Sequence, residues 1–159
     1  MKNIFTILLL SILVSCGSKE EKKKEFEYNR TQKEVKKTTA TSGSSVPFDL
    51  ENKGIGPITS VDFSQDINQN LVAEGENAFK QKCTACHMPE RKLIGPALKG
   101  IYERRSPEWV MNLLLNPTEM LKQDPIAKAL LKEYNNVMML NQNLSEEEAR
   151  AISEYLRAL

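Results

Sequence analysis

Cys83-Thr84-Ala85-Cys86-His87 places two thiols and an imidazole within five residues. Thiols at this spacing fall on one turn, where each can form a thioether with one vinyl group of a single haem, and the adjacent imidazole can then ligate the iron. Three rival readings fit less well. A structural zinc site needs about four Cys or His ligands, and this stretch offers three. A thioredoxin-type redox pair needs a βαβ setting, and no strand pattern precedes Cys83. A plain disulfide leaves His87 unexplained. The motif therefore reads as a c-type haem attachment site, with haem c and its iron as the expected cofactors.

The rest of the inventory supports this. The 159 residues contain three Cys and a single His, which excludes a multi-His metal cage or paired-His haem ligation within one chain. With 22 Lys+Arg against 21 Asp+Glu, the chain lacks the basic excess that nucleic-acid binding usually requires. No nucleic-acid partner is expected. The third cysteine, Cys16, ends a different pattern: Lys2, an apolar run from Ile4 to Val14, then Leu13-Val14-Ser15-Cys16. The run is shorter than the roughly 20 apolar residues needed to span a bilayer, so residues 1–15 read as an export signal. The last four resemble a bacterial lipobox, which predicts lipidation of Cys16.

Residues 16–45 are crowded first with Lys and Glu and then with Thr, Ser, Ala and Gly. They bury too little apolar surface to offset chain entropy and read as a lipidated, disordered tether. Residues 46–70, with Pro47, Gly54, Gly56 and Pro57, read as an irregular lead-in. From 71 to 159 the pattern becomes helical. A first helix is expected over about 70–82. Ser106-Pro107 marks a second start, which ends at Asn116-Pro117 because a residue before proline avoids the helical region. Pro125 opens another helix through about Tyr134. Ser145 with Glu148 forms a capping box for the last, which presents Ala149, Ile152, Tyr155 and Leu156 on one face. No alternating strand pattern follows residue 70, so the fold class is all-α.

At this point the sequence resembles a class I c-type cytochrome of the monohaem kind, in a bacterial lipoprotein form. Gly75 and Phe79 stand eight and four residues before the first haem cysteine, as in that family. Gly95-Pro96-Ala97-Leu98, Asn116-Pro117 and Tyr155-Leu156-Arg157 follow in the family's order. The resemblance implies a class I cytochrome c fold, with helices wrapped around one covalently bound haem. It implies that Gly75 and Phe79 cross the last helix near Ile152, Tyr155 and Leu156. It also implies that the Pro96 carbonyl accepts a hydrogen bond from His87 Nδ1, and that Arg104, or Arg105 beside it, meets a haem propionate. Tyr102 and Trp109 are candidates to line the haem or donate to a propionate, and Trp109 is equally a candidate core residue. The sixth iron ligand in this family is a Met shortly before the last helix, five residues ahead of a Leu-Ser. That spacing selects Met139 over its neighbour Met138, although Leu140 stands where relatives carry Pro. Met111 lies on an apolar helical stripe and Met120 falls early.

A haem with His and Met ligands has no open site, so the implied role is one-electron transfer and no enzyme activity is expected. Donor and acceptor would be respiratory redox proteins of the membrane or periplasm, the acceptor a terminal oxidase or a reductase such as that for nitrous oxide. The alternatives are a sensor or enzyme subunit with a labile sixth ligand, or a fixed electron-entry subunit of a larger complex. Residues 71–159 carry 12 Lys+Arg and 12 Asp+Glu, so no net field steers a partner. Lys80, Lys82, Lys92 and Lys99 form a candidate local ring near the motif. A monomer is expected, anchored to the bacterial cell envelope by lipid and facing the periplasm.

Overall fold

The computed structural model describes residues 46–159. The export signal 1–15, the lipidation residue Cys16 and the tether 16–45 lie outside the described residues. Five α-helices follow the irregular segment 46–68: α1 Gln69–Lys82, α2 Pro107–Leu115, α3 Pro117–Gln123, α4 Pro125–Glu133 and α5 Glu146–Arg157, with a 3₁₀ turn at Ile101–Glu103 before α2. An isolated parallel bridge between Asp49 and Arg105 is the only strand-like pairing among the described residues. None of the described helices is long and apolar enough to cross a membrane.

Local chemistry explains the starts. Asn68, Ser106 and Asp124 each accept first-turn backbone N–H groups, and Ser145 with Glu148 completes the reciprocal capping box. Proline occupies the first position of α2, α3 and α4, where its missing N–H costs nothing. This corrects the expectation around Pro117. It does end α2, but the chain restarts at once as α3, because the residue that cannot continue one helix is well suited to begin the next.

Two helices cross at the terminal ends of the domain. A Cβ on Gly75 of α1 would fall on the Ala151 carbonyl of α5, so glycine is what allows the backbones to meet. Phe79 and Tyr155 pack beside that crossing with ring centroids 5.3 Å apart. Phe79, Met111, Leu114, Ile126, Ile152 and Leu156 belong to the buried core. The segment 62–68 is fastened to α5 by a buried carboxylate. Glu154, 1% exposed, accepts from the Asn68 N–H at 3.0 Å and from Arg150 and Arg157 at 2.7 and 3.2 Å. Both guanidinium groups also lie over the Phe63 ring.

Candidate haem site

The motif begins where α1 ends. Cys83 is the C-cap of α1, and its carbonyl accepts the N–H groups of Cys86 and His87 at 3.0 and 2.9 Å. One tight turn therefore holds all three side chains. Cys83 is half-buried and Cys86 exposed, and they are not bridged to each other. Burial pushes the Cys83 thiol above its ordinary value. Burial pushes His87 below its ordinary value, opposed by the Pro96 carbonyl, so the ring is favoured in the neutral form that can ligate iron. His87 Nδ1 lies 3.2 Å from the Pro96 carbonyl oxygen. With the proton on Nδ1 it donates there and leaves Nε2 free. Gly95 also lies close against the ring: a Cβ there would sit 2.8 Å from Nδ1.

These residues open onto a cavity of about 450 Å³. Cys83, Cys86 and His87 line it from the motif, and Met138 and Met139 from the segment after α4. Leu113 of α2, Leu121 of α3 and Leu130 and Leu131 of α4 complete an apolar wall. Met139 is partly buried against the core, whereas Met138 is 62% exposed. The donor set and the space suit a large, flat, apolar group held by two thioethers and one imidazole. A bare metal ion is not served here, since no cluster of three or more His, Cys, Asp or Glu among the described residues could hold one. A second, more open cleft of about 620 Å³ lies between α1 and α5, rimmed by Glu74 and Glu146 to Glu148, and contains none of the motif residues. Those glutamates at the start of α5 are explained by the helix dipole.

Several candidates do not line the cavity itself. Arg104 is not among the cavity-lining residues; its guanidinium donates to the Lys99 and Ala97 carbonyls at 3.3 and 3.4 Å. Arg105 is buried against the lead-in instead, donating to the Pro47 carbonyl at 2.8 Å and lying over the Trp109 ring. Trp109 is core: its Nε1 donates to buried Asp124 at 3.1 Å. The Tyr102 hydroxyl bonds Ser153 on α5, 2.6 Å from Oγ, so it does not reach the cavity either. Met111 is buried packing, and Met120 is fully buried outside the cavity. The lysine ring is largely neutralised, with Lys80, Lys82 and Lys99 paired to Glu76, Glu148 and Glu90 at 2.7, 2.7 and 3.0 Å. The fourth, Lys92, lies over the Tyr134 ring. Tyr134, Asn136 and Gln142, which bring polar groups to the lining, were missed from sequence. Only the amphipathic register of α4 hinted at this wall.

With the fold and this cavity in view, the chain's family can be stated. The cytochrome c family model matches residues 72–159, more than half of the chain, and the protein belongs to the cytochrome c family as a class I c-type cytochrome. Among solved structures, a cytochrome c from Rhodothermus marinus is 45% identical with a TM-score of 0.62, the match covering 65% of this chain and 88% of that one. An engineered form of that protein, Rma TDE, is 44% identical with a TM-score of 0.62, over 65% and 89% of the two chains. The same engineered form bound to a carbene intermediate is 44% identical with a TM-score of 0.60, over 65% and 88%. No curated protein matches the chain. The all-α cytochrome c fold, covalently bound haem c with its iron, and the role of a haem-based electron carrier follow from the family.

Proposed function

We propose that the protein carries single electrons between envelope redox proteins, and that His87 and Met139 would ligate the iron of its haem. The bound haem supplies a one-electron Fe(III)/Fe(II) couple, and His/Met ligation raises its potential. The polypeptide supplies the rest. Pro96 orients the His87 ring, the thiols of Cys83 and Cys86 are placed for attachment, and Leu113, Leu121, Leu130 and Leu131 exclude water. The carrying observation is that Met139 and His87 line one apolar cavity while Met139 alone of the methionine pair is packed against the core. Visible spectra of Met138→Ala and Met139→Ala proteins test it. Loss of the Met–iron charge-transfer band in Met139→Ala alone is expected; its survival there rejects the assignment.

The cavity mouth favours a partner with an uncharged docking face. Ile94, Val137, Met138 and Leu140 line it and are exposed, while the nearby lysines are mostly paired. Association of this kind uses a small, weak interface, and its rate should change little with salt. A steep fall in electron-transfer rate with ionic strength would reject it. Export and anchoring through lipid on Cys16 are supported by the signal and lipobox residues 2–16. Globomycin should therefore cause precursor to accumulate, and unaffected processing rejects the anchor.

One observation favours a labile sixth ligand as a second reading. Met139 sits on a segment flanked by left-handed Asn135, Asn136 and Asn143, with φ of 56°, 58° and 50°. Strained backbone of this kind is enriched in switch regions. Carbon monoxide binding to the ferrous protein would support this reading, and inertness would reject it.

A further inference from the structure

The segment 46–68 precedes the stretch matched by the family model, yet its middle part settles backbone polar groups on α2 and α3 and a side chain on Asp124, the N-cap of α4. Three buried side chains receive it. Asn112, 1% exposed, accepts from the Ile58 N–H at 2.9 Å and donates to the Lys53 and Ile58 carbonyls at 2.9 and 2.8 Å. The Met120 sulfur accepts from the Ile55 N–H at 2.9 Å. Asp124 accepts from Asn52 Nδ2 at 2.7 Å. The fit leaves no slack: a Cβ on Gly56 would lie on Asn112 Oδ1, and one on Gly54 would be 2.8 Å from Met120 Cε.

Each receiving residue stands next to the cavity wall in the chain, Asn112 and Met120 within a helix and Asp124 as the N-cap of α4. Leu113 follows Asn112, Leu121 follows Met120, and Ala127 lies three residues after Asp124; all three line the cavity. Neighbouring positions on a helix project about 100° apart. The segment therefore holds one side of these helices while another side bounds the haem cavity. None of residues 46–68 lines the cavity.

We infer that residues 52–58 form a positioning strap, with Asn112 and Met120 as its anchor points, that keeps the apolar wall closed against water and thereby holds the reduction potential up. The ferric state carries one more positive charge than the ferrous state. Water admitted beside the haem stabilises the ferric form preferentially and lowers the potential. The strap acts through the wall and touches no reacting atom.

The test uses the full-length, haem-loaded protein and its midpoint potential. Met120→Leu nearly conserves volume and removes the sulfur acceptor. Gly56→Ala drives a methyl into Asn112. Both should shift the Fe(III)/Fe(II) ratio at fixed ambient potential toward ferric by roughly three- to tenfold, tenfold being about 59 mV for one electron. Tyr102→Phe loses the Ser153 contact away from the strap and serves as a stability control, lowering Tm with the midpoint unchanged. The visible spectrum of each sample separates a changed wall from lost haem and does not depend on which Met ligates. If Met120→Leu and Gly56→Ala lower Tm but leave the midpoint at the wild-type value, the strap is structural only and the inference fails. Should Gly56→Ala not accumulate, Met120→Leu decides alone.

Discussion

Gly75 on α1 lies directly against the Ala151 carbonyl on α5, so closely that a Cβ would overlap the oxygen. This contact sets the crossing that places Cys83, at the end of α1, beside the cavity. Gly75→Ala must push the two backbones apart, and overpacking of this kind costs about 1–3 kcal/mol. In a domain this size, each kcal/mol lowers Tm by roughly 4–8 °C. Thermal unfolding checks it; a Tm within 2 °C of wild type, taken as about the noise of the comparison, would show that the crossing yields more easily than the geometry implies.

Asp124 ties three elements together, accepting from Trp109 Nε1, Asn52 Nδ2 and the Ala127 N–H at 3.1, 2.7 and 2.8 Å. Asp124→Ala removes an N-cap and strands a buried indole N–H, at a cost of about 2–4 kcal/mol. Trp109 is the only tryptophan, so its fluorescence reports this site alone. A changed emission maximum together with a lowered denaturation midpoint is expected.

Glu154 predicts an acid limit. Burial raises its pKa, but the Asn68 N–H and the Arg150 and Arg157 charges outweigh it, so the net shift is downward from 4.5. A depressed carboxylate contributes stability that is present above its unfolded value of about 4.5 and is lost as pH falls through the lower folded value. Glu154→Gln should cost about 1–3 kcal/mol at neutral pH and flatten the stability profile below pH 4.5. Denaturant titrations at several pH values measure both, and parallel profiles for the two proteins would count against the clamp.

Cys83 and Cys86 are expected to share the covalent hold on haem. Cys83→Ser or Cys86→Ser should each leave one attachment, and the double replacement should release haem to acidified organic solvent on extraction. Retention of haem by the double variant would contradict thioether attachment.

How much of this was readable in advance follows from range. The haem motif, the capping box at Ser145 and the proline-led helix starts act over one turn, so residue type and spacing determine them without help from distant chain. The Gly75 and Phe79 crossing was also legible, through family resemblance. What Tyr102, Arg105 and Trp109 do was not. Each is a chemically plausible haem neighbour, and each bonds a partner far away in sequence: Ser153, Pro47 and Asp124. Restarting of the chain as α3 was missed because proline is both a terminator and a good first residue, and only packing of Met120 into the core selects the second role.

By itself, the sequence pointed to Cys83, Cys86 and His87 as the haem-attachment motif and to an all-α domain. Tertiary structure alone decided which of two adjacent methionines packs inward, that the lysine ring is mostly paired, and that residues 52–58 bond to Asn112, Met120 and Asp124. Attachment depends on atoms a few bonds and one turn apart. The other features depend on which surfaces meet when the helices pack, and that is settled by burial and hydrogen bonding between residues that spacing does not relate.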